Sequence, residues 1–141
     1  MINKVNITNL KTNNIKILNK ERCISLLKDY KNGNKSVKDE IIMGNLKLVL
    51  TVIKKVNFSY NVDPDDLFQI GVIGLIKSID NFNTSLNVAF STYAIPMIRG
   101  EIKRYLRDNQ SSLRVSRGIK EKAYCILKLK EEYLQKNGVE P

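Results

Sequence analysis

VAFSTYAIPMIRGEIKRYLR, residues 88–107, is the stretch around which the rest of the chain is arranged. At helical spacing Arg99, Lys103 and Arg107 fall at i, i+4 and i+8 on one face. Ile95, Ile98, Ile102 and Leu106 fall at i, i+3, i+7 and i+11 on the other, the pattern of a helix docked on a core. The stretch opens with Phe90 and Tyr93 among the small hydroxyl residues Ser91 and Thr92, and it closes with Arg99, Lys103, Arg104 and Arg107. Cations that seek phosphate beside an aromatic ring suit single-stranded or opening nucleic acid. The plainer reading is a solvated charged face that keeps a protein in solution. The binding reading gains because the charges are nearly all of one sign, with only Glu101 opposing them.

Outward from this helix the pattern stays helical. On the C-terminal side Asp108–Ser112 is a polar break, and Ser116 is placed to cap a last helix that ends at Asn137–Gly138. On the N-terminal side Asp80–Asn87 reads as a turn. Before it, Asp63 and Pro64 open a strongly apolar helix running to about Ile79, with Asp as cap and Pro in the first turn. Gly71 and Gly74 inside that helix cost stability, and are expected to permit close packing of a neighbour. Ser36 and Asp39 form a capping-box-like start for a helix to about Asn57, apolar over much of its circumference and expected at the centre of the bundle. Asn19 starts the first helix, Lys20 to about Tyr30, and Gly33 suits the left-handed turn after it. The fold expected is all-α, a bundle of about five helices. Its divisions are an N-terminal arm (1–18) expected to be mobile, a helical domain (19–110) and a C-terminal segment (111–141).

Composition narrows the function. The chain has 141 residues and a net charge of +10. The surplus is local: residues 96–130 carry ten Lys and Arg against three acids, whereas residues 63–90 carry four Asp and one Lys. A basic stretch beside an acidic one points to two partners, a polyanion and a basic protein surface. Cys23 and Cys125 make neither a disulfide framework nor a metal-ligand spacing, and both read as small apolar residues, half-buried on helices. There is no histidine, which removes the commonest general base and metal ligand. Asp63, Asp65 and Asp66 read as a helix start rather than a metal site. No catalytic residue, metal or cofactor is therefore expected, and no membrane span or signal peptide. The setting expected is cytoplasmic and nucleoid-associated.

Four motifs in order carry a family resemblance: GNLKLVLTVIKK (Gly44–Lys55), DDLFQIGVIGLIKSIDNF (Asp65–Phe82), FSTYAIPMIRGEIKRYLRD (Phe90–Asp108) and RVSR (Arg114–Arg117). Together they resemble region 2 and the start of region 3 of bacterial sigma-70-type sigma factors. The third motif and the arm KVNITNLKTNNIKIL are similar to the forespore sporulation group, sigma-G more than sigma-F. The resemblance implies that Asp66 and Gln69 grip the β′ clamp helices of core RNA polymerase. It implies that Tyr93 stacks on the flipped adenine of the promoter −10 element, with Phe90 supporting that pocket. It places Arg99, Lys103, Arg104 and Arg107 along the −10 duplex edge, with Gly100 and Lys103 reading its upstream end. Asn45 and Lys47 match positions lining the non-template strand, and Arg114 and Arg117 match the segment beside extended −10 DNA. An anti-sigma factor, touching the N-terminal arm, is a further partner that the family implies.

The chain also departs from the family pattern. Pro96-Met97 stands where housekeeping members carry a Trp pair, and Leu86, Val88 and Ala89 stand where they often place basic or aromatic residues. Ser111-Ser112 replaces a proline common before RVSR. The remainder of region 3 and the −35-reading helix-turn-helix have no counterpart here, so the resemblance is to a sigma factor truncated after the start of region 3. The leading expectation is a sigma factor, or its region 2 part, that binds polymerase and melts the −10 element. The alternative is an interaction module that occupies polymerase or an anti-sigma factor without initiating transcription. A nonspecific basic binder ranks third and an enzyme last.

Overall fold

The computed structural model describes residues 15–58, 62–109 and 115–141. Five α-helices are described: α1 (Lys20–Lys31), α2 (Lys38–Lys55), α3 (Pro64–Asn81), α4 (Phe90–Asn109) and α5 (Arg117–Asn137). A 3-10 turn, Lys35–Val37, leads into α2. The chain divides into two compact units, Met1–Gln110 and Ser111–Pro141.

The helix starts follow side-chain chemistry at two ends and depart from it at a third. The Arg22 N–H donates to Asn19 Oδ1 at 2.8 Å, and the Asp65 N–H donates to Asp63 Oδ1 at 2.9 Å, so both expected caps satisfy an orphan donor. Ser36 does not cap α2. Its hydroxyl donates to Asn34 Oδ1, and the 3-10 turn places Val37 at the cap position without a side-chain bond. Gly33, at φ 101°, makes the left-handed turn after α1. Pro96 lies inside α4, which runs on from Phe90 to Asn109.

The core of the first unit sits where α2, α3 and α4 meet. Ile41, Val49 and Ile53 of α2, Leu67, Leu75 and Ile79 of α3, and Ala94, Ile98 and Ile102 of α4 are completely buried. Gly71 and Gly74 are the contact points. A methyl at Gly71 would overlap Val49, and one at Gly74 would stand 2.8 Å from the Ile98 Cα. α4 thus approaches α3 backbone to backbone at Gly74, and the Val49 side chain of α2 seats against Gly71, the close packing expected of those glycines. Gly44 plays the same part for a different neighbour. Leu18 occupies the space its side chain would fill, and the Leu18 N–H donates to the Gly44 carbonyl at 3.2 Å. Ile15 and Leu18, at the end of the stretch read as an arm, therefore pack on the core. Residues 1–14 lie outside the described residues.

In the second unit α5 ends at Gly138, whose φ is 69° and whose N–H donates to the Leu134 carbonyl at 2.8 Å. None of its residues is buried. Cys125 is exposed rather than half-buried, whereas Cys23 is buried against Asn45. Burial pushes the Cys23 thiol above its ordinary pKa, against the opposing hydrogen bond from Asn45.

Candidate nucleic-acid interface

The geometry of α4 separates its charges more finely than its sequence does. Ile98, Ile102 and Leu106 face inward, and Arg99, Lys103 and Arg107 are exposed on the opposite side. Asp108, near the end of the helix, accepts from Arg107 Nε at 3.1 Å, and Glu101 is turned to the flank. Its carboxylate accepts from Lys77 of α3 at 2.8 Å and lies 3.9 Å from the Arg104 guanidinium. Two consequences follow. Glu101 is occupied by the bundle instead of opposing the basic face, and Arg104 leans away from that face towards it. Gly100, exposed beside them, has open space where a side chain would stand.

The aromatic entrance is a braced cluster. Phe82, at the end of α3, meets the Phe90 ring edge-on at 5.3 Å and the Tyr93 ring at 5.7 Å. Phe82 and Phe90 are buried. Tyr93 is only partly buried, so of these three rings it is the one with a face left for a ligand.

Next to Phe90 lies a cleft of about 510 Å³ that the pattern of the sequence did not announce. Ile17 and Leu18 line one side, Leu48 another, and Leu86 and Val88 of the loop before α4 a third. Lys20 and Lys47, both exposed, lie along it. The sequence signal was there in the exposed apolar residues of that loop, but no local periodicity reveals that a loop closes a cleft against two distant helices.

The remaining expected residues are scattered. Lys47 is exposed, but Asn45 is buried. Its Nδ2 donates to the Ile41 carbonyl at 2.8 Å and reaches Cys23 Sγ at 3.6 Å, so its amide ties α2 to α1. Asp66 and Gln69 are exposed on α3, one turn apart, with exposed Ile73 one further turn along the same face. Asp63 is taken up by its capping bond, and among the described residues no group of three His, Cys, Asp or Glu is placed to hold a metal ion. Arg117 pairs with Glu121 within α5 at 2.9 Å. Arg114 lies outside the described residues. Among the described residues no helix is long and apolar enough to cross a membrane.

Residues 41–112 match the family model described as sigma-70 region 2. All 141 residues align at 50% identity with the RNA polymerase sigma-G factor of Clostridium acetobutylicum, covering 54% of that protein. The RNA polymerase sigma-F factor of Bacillus licheniformis is 47% identical over 114 residues, 80% of this chain and 44% of its own length. A Bacillus thuringiensis subsp. kurstaki protein named as a candidate sigma-G factor is 48% identical over 122 residues, 86% of this chain and 96% of that one. The chain spans about half the length of the first two relatives. With its five described helices, its buried α2–α3–α4 core and this match, the chain belongs to the sigma-70 region 2 family.

Proposed function

We propose that this chain is the polymerase-binding and −10-binding part of a sporulation sigma factor, and that it opens promoter DNA without catalysing a reaction. The observation that carries the reading is Tyr93 held against Phe82 at the start of a helix whose exposed side bears Arg99, Lys103 and Arg107. Stacking a base on such a ring is worth about 1–3 kcal/mol. That matches the few kcal/mol needed to unstack and unpair one base, so capture of a transiently opened base drives melting without ATP. Phe90 stiffens the pocket from below. Arg99, Lys103 and Arg107 hold the duplex edge, with Gly100 and Lys103 at its upstream end. Arg104 contributes from the flank. Lys47 accompanies the non-template strand, and the buried Asn45 acts by holding α2 in place. Arg114 and Arg117 belong beside extended −10 DNA. On α3, Asp66 and Gln69 offer acceptors to the β′ clamp helices of core polymerase. An anti-sigma factor is the third partner. The work is done on promoter DNA in the cytoplasm.

The test is binding of the chain to isolated β′ clamp helices and to a single-stranded −10 non-template oligonucleotide. Tyr93→Ala is expected to weaken oligonucleotide binding by about 1–3 kcal/mol and to leave clamp binding intact. Asp66→Ala and Gln69→Ala are expected to do the reverse. Equal loss of both activities in every variant overturns this division of labour. Clamp binding with no oligonucleotide binding by the unaltered chain favours the interaction module.

A further inference from the structure

The cleft beside Phe90 joins an aliphatic lining to two exposed cations. Ile17, Leu18, Leu48, Leu86 and Val88 line it together with the Phe90 ring. Leu86 is 57% exposed and Val88 42%, so this wall presents hydrocarbon to water. The polar side chains that α2 sets along it are already engaged. Asn45 Nδ2 donates to the Ile41 carbonyl and reaches Cys23 Sγ, and the Thr51 hydroxyl donates to the Lys47 carbonyl. The interior therefore favours an apolar body over one that needs hydrogen bonds. Lys20 and Lys47 supply the charge. Among the described residues no acid lines the cleft and no ion pair reaches either lysine. Lys20 is also the first residue of α1, the positive end of that helix, where an anion is favoured and a cation is not. Glu21 follows it but does not line the cleft.

We infer that this cleft binds a small amphiphilic anion, an alkyl carboxylate whose chain lies among the aliphatic side chains and whose head meets Lys20 and Lys47. Volume sets the size of the occupant. The cleft holds about 510 Å³, and small-molecule sites span roughly 300–1,000 Å³. One turn of a helix about 10 Å across fills roughly 420 Å³, so a partner helix does not fit. Charge sets the sign, since two cations without a counter-ion attract an anion. A flipped base fits less well, because it is read by hydrogen bonds along its edge and the side-chain donors of α2 are spent within the fold. The inference goes beyond the −10 reading and does not depend on Tyr93.

The experiment is calorimetric titration of the 141-residue chain with octanoate, decanoate and dodecanoate below their micellar concentrations, and with decanol as the neutral counterpart. Affinity is expected to rise roughly fourfold for each added methylene. Lys20→Gln and Lys47→Gln are each expected to weaken decanoate by up to about fivefold and to leave decanol unchanged. Lys28→Gln, on α1 but away from the cleft, is expected to change neither. Val88→Asp sets a carboxylate against the alkyl chain and is expected to weaken every ligand about tenfold or more. Val88 is exposed, so the fold is expected to survive, and an unchanged unfolding midpoint checks it. Equal affinity for decanoate and decanol overturns the anionic head. Affinity that ignores chain length, or that Val88→Asp leaves unchanged, overturns the cleft as the site. No binding of any alkyl ligand, with −10 oligonucleotide binding weakened by Val88→Asp, assigns the cleft to DNA instead and overturns the inference while the −10 reading stands. Alkyl binding by a chain that fails to bind the oligonucleotide supports the inference and overturns the −10 reading alone.

Discussion

Two glycines on facing helices have opposite jobs. Gly74 lies where α3 meets α4, and an added methyl would come within 2.8 Å of the Ile98 Cα and 3.2 Å of the Met97 carbonyl oxygen. Backbone cannot step aside as a flexible side chain can, so Gly74→Ala is expected to cost about 1–3 kcal/mol by overpacking. Gly100 has open space around the same position, and there alanine removes only the conformational freedom that glycine brings to an unfolded chain. Gly100→Ala is expected to stabilise by about 1 kcal/mol. Urea unfolding of both variants measures the contrast, and a destabilised Gly100→Ala would mean that α4 is strained there. Close packing at Gly71 and Gly74 was legible in the sequence because an apolar helix gains nothing else from glycine. The inward turn of Asn45 was not. α2 is apolar over so much of its circumference that hydropathy does not decide which polar residue lies inside. The Cys23 thiol and the Ile41 carbonyl that decide it come from tertiary packing and from the preceding helical turn.

Asp80 fastens three helices at one end of the bundle. Its carboxylate accepts from the Tyr30 hydroxyl of α1 at 2.7 Å and from Lys38 of α2 at 3.0 Å, and its carbonyl accepts from Lys31. The Tyr30 bond, followed by Lys38, holds the Asp80 carboxyl below its ordinary pKa, and the Asp80 bond holds Lys38 above its own. A depressed carboxylate stabilises the fold fully above its ordinary value of about 4 and loses that contribution as pH falls through it. A raised lysine stabilises fully below about 10.4 and loses the contribution as pH rises past it. The fastening is therefore complete across neutral pH. Asp80→Asn is expected to lower the unfolding midpoint at pH 7 and to converge on wild type below about pH 4. Tyr30→Phe is expected to cost about 1 kcal/mol at pH 7. A constant gap between Asp80→Asn and wild type at all pH values would assign the loss to packing instead. The element boundaries around this fastening were legible where a cap is local, as with Asp63 before Pro64. They were less so where two polar residues compete: Asn34 takes the Ser36 hydroxyl, so α2 starts two residues after the serine expected to cap it.

At the scale of the whole chain, charge and core respond to salt in opposite directions. The chain holds ten more cations than anions, and each described ion pair has at least one partner whose side chain is more than 40% exposed. Such pairs contribute about 0–1 kcal/mol each and weaken as salt screens them. The surplus cations have no acid to pair with and repel one another, and salt weakens that repulsion too. The core is apolar and is not weakened by screening, since its largest fully buried side chains are Leu and Ile. The sign of the net effect depends on which charges are more numerous in close company. Of the acids on α4, Glu101 is drawn to the flank by Lys77 and Asp108 pairs with Arg107, so the repulsion between Arg99 and Lys103 stays. Raising salt from about 0.01 M to 0.15 M shortens the Debye length from about 30 Å to 8 Å. Over that range the melting temperature is expected to rise or hold while affinity for forked DNA falls steeply, with log K linear in log salt. Scanning calorimetry and fluorescence anisotropy on the same samples measure the two. A melting temperature that falls together with affinity would mean that the exposed ion pairs hold the bundle. DNA release by salt would then report unfolding rather than loss of phosphate contacts.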